Sequence, residues 1–164
     1  PQYLLLDDEV YRKPGFEGAA YVMSPPIRPK GHQDALWGGI RAGVFDTVGT
    51  DHCPFNQKGQ KEMGRGDFTK IPNGAAGVEH RLQLLYTYGV RAGRIDLNRF
   101  VDLTSARPAK VFGLYPRKGS LVVGADADIV LYDPAGDSTV SASTHHQRCD
   151  RNIFEGFRLK GRGF

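Results

Sequence analysis

Between Ala35 and Phe55 the chain moves from a helical pattern, through a glycine, into an apolar run that stops on an acid. Leu36, Trp37 and Ile40 fall on one side of a helix over residues 35–42, and Gly43 closes it. Val44 to Thr50 reads as a buried strand, and Tyr21-Val22-Met23 as a shorter strand before the helix. Ser24-Pro25-Pro26 ends the shorter one, since neither proline continues a ladder. Strand, helix, strand at this spacing is a βαβ unit, which implies an α/β fold with a parallel sheet.

The second strand ends in Asp51-His52-Cys53-Pro54-Phe55. In α/β barrels a carboxylate at the C-terminal end of a strand stands where catalytic groups are placed, because the strand is rigid and its end opens into the active-site mouth. A lone Asp would be read as the cap of a turn, but an acid, an imidazole and a thiol in succession favour a site. Asp51 has the chemistry to bind a divalent cation with one oxygen and shuttle a proton with the other. His52, adjacent in a strand, points to the opposite face and reads as a packing or supporting histidine. Cys53 and Cys149 form no metal or redox spacing and read as reduced thiols of a cytoplasmic protein. Cys53 reads as a buried structural thiol in preference to a reactive one.

Residues 56–73 are polar and glycine-rich without periodicity, a long loop of the kind that carries function. A helix is expected over Ala75–Tyr88 with Val78, Leu82 and Leu85 on one face. Another runs from Leu97 to Thr104 with Asp96 as N-cap, and a third from Pro108 to Phe112, capped by Ser105 and closed by Gly113. After Gly113 the texture changes. Gly119–Gly124 and Ala127–Tyr132 read as short strands, followed by Asp133-Pro134, so a small β module is appended to the α/β body. The expected boundary separates residues 1–115 from 116–164.

A chain of 164 residues is long enough for one ordinary domain. No run approaches the ~20 apolar residues that span a bilayer, so no membrane role is expected. The net charge of +4 is a mild basic bias with Lys and Arg scattered, and the densest stretch, Arg148 to Arg162, is interleaved with Asp150 and Glu155. It reads as a solvated surface, without nucleic-acid binding. The chain has no initiator Met and opens and closes in mid-element, so a piece of a longer protein is expected.

Several strings carry a resemblance: Pro1-Gln2-Tyr3-Leu4, Met23-Ser24-Pro25-Pro26-Ile27-Arg28, Gly49-Thr50-Asp51-His52-Cys53-Pro54-Phe55, Ile71-Pro72-Asn73-Gly74, Ser105-Ala106-Arg107-Pro108-Ala109-Lys110 and Gly124-Ala125-Asp126-Ala127-Asp128-Ile129-Val130. In this order, and across nearly the whole chain, they resemble the dihydropyrimidinase and D-hydantoinase family, cyclic-amide hydrolases of the amidohydrolase superfamily. Dihydroorotases and allantoinases fit less well, usually lacking the Cys-Pro-Phe continuation.

The resemblance implies the C-terminal part of a (β/α)₈ TIM barrel plus part of a small β-sandwich. It implies two divalent metal ions, zinc in the family, with Asp51 as ligand and proton shuttle. A metal-bridging hydroxide attacks the ring amide carbon, and the Asp passes its proton to the leaving nitrogen. Substrate contacts are implied at Ser24 and Asn73, largely through backbone groups, and the substrate is a cyclic amide, dihydropyrimidine or hydantoin. A homotetramer is the implied assembly.

The family's remaining metal ligands, a His-x-His pair, a carboxylated lysine and two further histidines, lie upstream of Pro1. His32, His52, His80, His145 and His146 do not replace them: His32 and His80 read as surface residues, and His145-His146 as exposed in the β module. The 164-residue chain alone is therefore expected to be inactive, with open sheet edges and uncovered apolar faces. The alternative class is a non-catalytic scaffold of the collapsin response mediator type, which loses the acid that Asp51 retains.

Overall fold

Glycines set where the longer helical runs stop. The structure, a computed structural model, describes residues 1–164. Its longest helix, α2 (Gly31–Arg41), follows the short α1 (Gln2–Leu5). At the end of α2 the Gly43 N–H donates to the Ile40 carbonyl and the Val44 N–H to the Gly39 carbonyl. That pair is a Schellman closure, and it needs the left-handed conformation that Gly43 adopts at φ +78°. The same two bonds recur at Gly93–Arg94 and at Gly113–Leu114, so the helical runs that end at Arg41, Arg91 and Val111 each close on a glycine.

The expected helix over Ala75–Tyr88 begins later. α3 covers Arg81–Leu85 and continues as a π-helical turn over Tyr86–Arg91. Leu85 is buried, Leu82 partly so, and Val78 lies outside the helix, exposed. The reason is local: Ala75, Gly77 and Val78 give their backbone groups to Cys53 and His52 instead of to a helix. α4 (Leu97–Val101) starts where expected, the Asp96 carboxylate accepting from the Arg99 N–H at 2.7 Å. It does not stop at Thr104. A π-helical turn over Asp102–Ala106 carries it into α5 (Arg107–Val111). Ser105 therefore caps nothing. Pro108, which has no N–H to give, sits in the first turn of α5, directly after that widened turn.

The strand expectations fare worse. Tyr21 ends a 3-10 turn over Glu17–Tyr21, and residues 44–50 join no ladder, with Val44 70% exposed. Residues 119–124 and 127–131 are likewise irregular. The only parallel pairing is a single bridge between His52 and Ala75. A strand read from apolar residues still needs a neighbour to pair with its backbone N–H and C=O groups, and no segment of this chain forms a ladder with residues 44–50. The one sheet pairs β1 (Tyr132–Thr139) with β2 (Arg158–Gly163). Phe164 donates to Leu131 at one end and Val140 to Phe157 at the other, so the two run antiparallel.

The chain divides into two compact units, neither continuous in sequence. The first comprises residues 1–34, 50–81 and 139–158. Its buried apolar residues include Leu4, Tyr21, Met23, Ile27, Ile153 and Phe154. The second comprises residues 35–49, 82–138 and 159–164. Trp37, Ile40, Leu84, Leu103 and Leu159 are buried there, and the rings of Tyr86, Phe100 and Tyr132 meet edge-on or tilted at 4.9–6.1 Å.

In this second unit arginine does what a ladder would have done. Arg99 donates from Nε to the Ile40 carbonyl at 2.8 Å and from Nη2 to the Phe45 carbonyl at 2.5 Å, while Nη1 meets Asp102 at 2.6 Å. Arg107 links Asp102 to Asp46. The end of α2 and the start of the 44–50 segment are thus pinned to α4.

Candidate active site

The first unit brings the three residues singled out by sequence to one cavity. Ser24, Asp51 and Asn73 line a space of about 140 Å³ together with Gln2, Cys53 and Gly74. Asp51 follows the 44–50 segment and takes φ +51°, a left-handed conformation that costs a non-glycine residue energy and that Asp tolerates better than most. Its carboxylate is exposed and accepts no hydrogen bond from the chain. It is a free acid at the cavity wall.

Ser24 and Asn73 come from two different segments of the first unit, 49 residues apart, and meet through their side chains, Asn73 Nδ2 donating to Ser24 Oγ at 2.7 Å. That bond occupies the side chains and leaves backbone groups over. The Ser24 N–H and C=O and the Asn73 N–H make no backbone hydrogen bond within the chain, and both residues are exposed. Polar backbone groups left uncommitted beside a cavity are available to a ligand.

Neighbours fix these turns. The Tyr3 hydroxyl donates to the Pro25 carbonyl at 2.6 Å. Burial holds the Tyr3 phenol above its usual pKa, and the Asp51 charge adds to the effect. The Gly74 N–H donates to the Val22 carbonyl at 3.0 Å, and the Cys53 N–H to the Ala75 carbonyl at 3.0 Å. Gly74 sits at φ +149°, where a Cβ would stand 2.7 Å from the Cys53 carbonyl oxygen and 2.8 Å from its sulfur. Only glycine fits. His52 Nδ1 accepts from the Gly77 and Val78 N–H groups at 3.1 and 3.3 Å, the supporting role expected of it.

Three sequence readings need correction. Cys53 is exposed and lines the cavity, where a buried structural thiol was expected, because residues 51–54 do not enter a sheet. His80, expected at the surface, is buried immediately before α3, and burial lowers its pKa against the opposing pull of Glu79. His145 is half-buried, its ring bonded to the Cys149 carbonyl, whereas His146 is exposed as expected and bonds Glu79.

Sequence reasoning missed Lys61 altogether. It lies in a 3-10 turn, Lys61–Gly64, of the long polar loop and is 2% exposed. Its Nζ donates to the Val22 carbonyl at 2.9 Å and to the Pro72 carbonyl at 2.6 Å, with the Phe55 ring centroid 5.5 Å away. Burial lowers its pKa to about 8, with Cys53 opposing. Lys in a run of Gln, Lys and Glu carries no sequence signal for burial.

No three His, Cys, Asp or Glu side chains gather into a group able to hold a metal ion. Asp51 suits a divalent cation as one uncommitted carboxylate ligand. The chain's own residues do not make up a two-metal centre.

Comparison with known proteins places the chain. The model of the Amidohydrolase family matches residues 27–158. The D-hydantoinase of Geobacillus stearothermophilus is 55% identical over 161 residues, 98% of this chain and 34% of that protein. The D-hydantoinase of Streptomyces coelicolor is 52% identical over 162 residues, 99% of this chain and 34% of that protein. Among solved structures, dihydropyrimidinase from Brevibacillus agri NCHU1002 superposes with a TM-score of 0.95 at 56% identity, covering 98% of this chain and 35% of that one. This chain spans about a third of the length of the curated relatives it matches.

Proposed function

This chain belongs to the amidohydrolase family, and we propose that it forms part of a metal-dependent hydrolase that opens cyclic amides, hydantoins or dihydropyrimidines. The observation that carries the reading is the meeting, at one cavity, of the uncommitted Asp51 carboxylate with the free backbone groups of Ser24 and Asn73. Relatives named D-hydantoinase, identical at about half of all positions, support it.

Ser24 and Asn73 offer N–H donors to a ring carbonyl and a C=O acceptor to a ring N–H, which recognises the amide edge of the substrate. The Asp51 carboxylate takes up a proton and delivers it to the ring nitrogen as the C–N bond breaks. Bound divalent ions, zinc by family resemblance, would supply an acidified water and polarise the scissile carbonyl. Asp51 would be one ligand for them, and the chain offers no further set. A cavity of about 140 Å³ is also below the ~300–1,000 Å³ of ordinary ligand pockets. Both facts fit a chain that forms one wall of its site.

In this reading residues 1–115 belong to the end of a (β/α)₈ barrel and residues 116–164 to a β-sandwich, within a cytoplasmic homotetramer. Retention of a free carboxylate at Asp51 favours the enzyme over a non-catalytic scaffold of the same family.

The test is ring opening of hydantoin and dihydrouracil, followed by the appearance of the ring-opened carbamoyl acid. The protein that carries this chain should turn over at least one of them, and the 164-residue chain with added zinc should turn over neither. Turnover by the chain alone would overturn the claim that its metal site is incomplete. Inactivity of the whole, metal-loaded protein on both would overturn the ring-opening assignment.

A further inference from the structure

Lys61 is 2% exposed, and its nitrogen is bonded to two backbone carbonyls in place of a carboxylate. Burying an ammonium or amine without a counter-charge is costly, and an apolar side chain of equal length would fill the space at less expense. What Lys61 does with its nitrogen is specific. The Val22 carbonyl it holds lies two residues before Ser24, and the Pro72 carbonyl lies one residue before Asn73. The Val22 carbonyl also accepts from the Gly74 N–H, immediately after Asn73. One nitrogen therefore joins the strands of chain that lead into both turns, and the Asn73–Ser24 side-chain bond joins the turns themselves. The two carbonyls need two N–H donors. A neutral amine supplies two and an ammonium three, so the clamp persists through the titration that burial shifts to about 8.

We propose that Lys61 is a positioning residue that fixes the separation of the Ser24 and Asn73 turns, and through them the seat of the substrate's amide edge. The proposal rests on the ring-amide reading above for its effect on catalysis, while the clamp itself rests on geometry alone. A displacement of one turn by about 1 Å can cost on the order of 10²-fold in rate.

Lys61→Met keeps the length and removes the donors; Lys61→Arg restores donors. In the metal-loaded protein that carries this chain, Lys61→Met should raise KM for the cyclic amide by about tenfold or more, with metal content unchanged and kcat reduced less. Lys61→Arg should recover part of the loss. Hydrogen exchange should rise in segments 22–26 and 72–75 in Lys61→Met, a readout that needs no turnover. Unchanged KM with unchanged exchange in both segments overturns the proposal, as does a lower melting temperature with KM intact, which would mark a purely structural lysine. If Lys61→Met does not fold, Lys61→Gln carries the same comparison, and failure of both to fold assigns Lys61 to stability and overturns the proposal. An inactive wild type would sink the ring-opening assignment, and the exchange measurement would still decide whether Lys61 holds the turns.

Discussion

Asp51, Ser24 and Asn73 are short polar residues in turns, and their types could be read directly. A carboxylate after an apolar run, a serine before two prolines and an Asn-Gly dipeptide each announce a local conformation. Lys61 and Tyr3 could not be read this way, since their partners lie 39 and 22 residues away and nothing in their neighbours' chemistry implies those contacts. Lys61 also makes a pH prediction. Its pKa in the folded protein is about 8, against an ordinary value of 10.5. Between those values the unfolded chain binds more protons than the folded one, so stability rises with pH across the window, and below pH 8 the full cost of the buried charge is present. Burial holds Tyr3, Tyr11, Tyr88 and Tyr132 above their ordinary pKa, which removes stability above pH 10, where exposed tyrosines ionise. Thermal midpoints compared from pH 8 to about 9.5 should rise more in the wild type than in Lys61→Met. Parallel curves would show that Lys61 titrates normally.

At the scale of elements, local signals located the helices and misplaced the strands. Gly43 and Gly113 end helices because a Schellman closure is set by the glycine itself, and Asp96 caps α4 because its partner is three residues on. A strand is different. Leu121-Val122-Val123 has the composition of one, yet Leu121 is 84% exposed and unpaired, while the polar segment Tyr132–Thr139 forms β1 because Arg158–Gly163 pairs with it. Pairing is a property of two segments, invisible in either. The same holds for residues 44–50, which are anchored by Arg99 and not by a ladder. Arg99→Met should leave the Phe45 carbonyl without its donor and take one of two donors from the Ile40 carbonyl and from the Asp102 carboxylate, at a cost of about 2–3 kcal/mol. A melting curve of the variant unchanged from wild type would show that the 44–50 segment is held by something else.

For the whole molecule, the interleaving of three sequence segments in each unit was not legible from a sequence that shows one change of texture near Gly113. The family was legible, because its strings recur in order along nearly the whole chain. The apolar side chains left exposed over residues 121–123 and 129–131 accord with the proposed role as one part of a larger protein. The same holds for the active site: in the proposed reading Asp51 would be a metal ligand and proton carrier, and no three His, Cys, Asp or Glu side chains of this chain gather to hold a metal ion without outside partners. The central claim is that this carboxylate carries the chemistry. The most direct measurement is kcat for hydantoin opening by the metal-loaded protein that carries this chain, with and without Asp51→Asn, metal content being determined in both. The expected result is a loss of about 10²–10⁴-fold or more, with or without partial loss of metal. A variant that retains wild-type kcat would contradict the account.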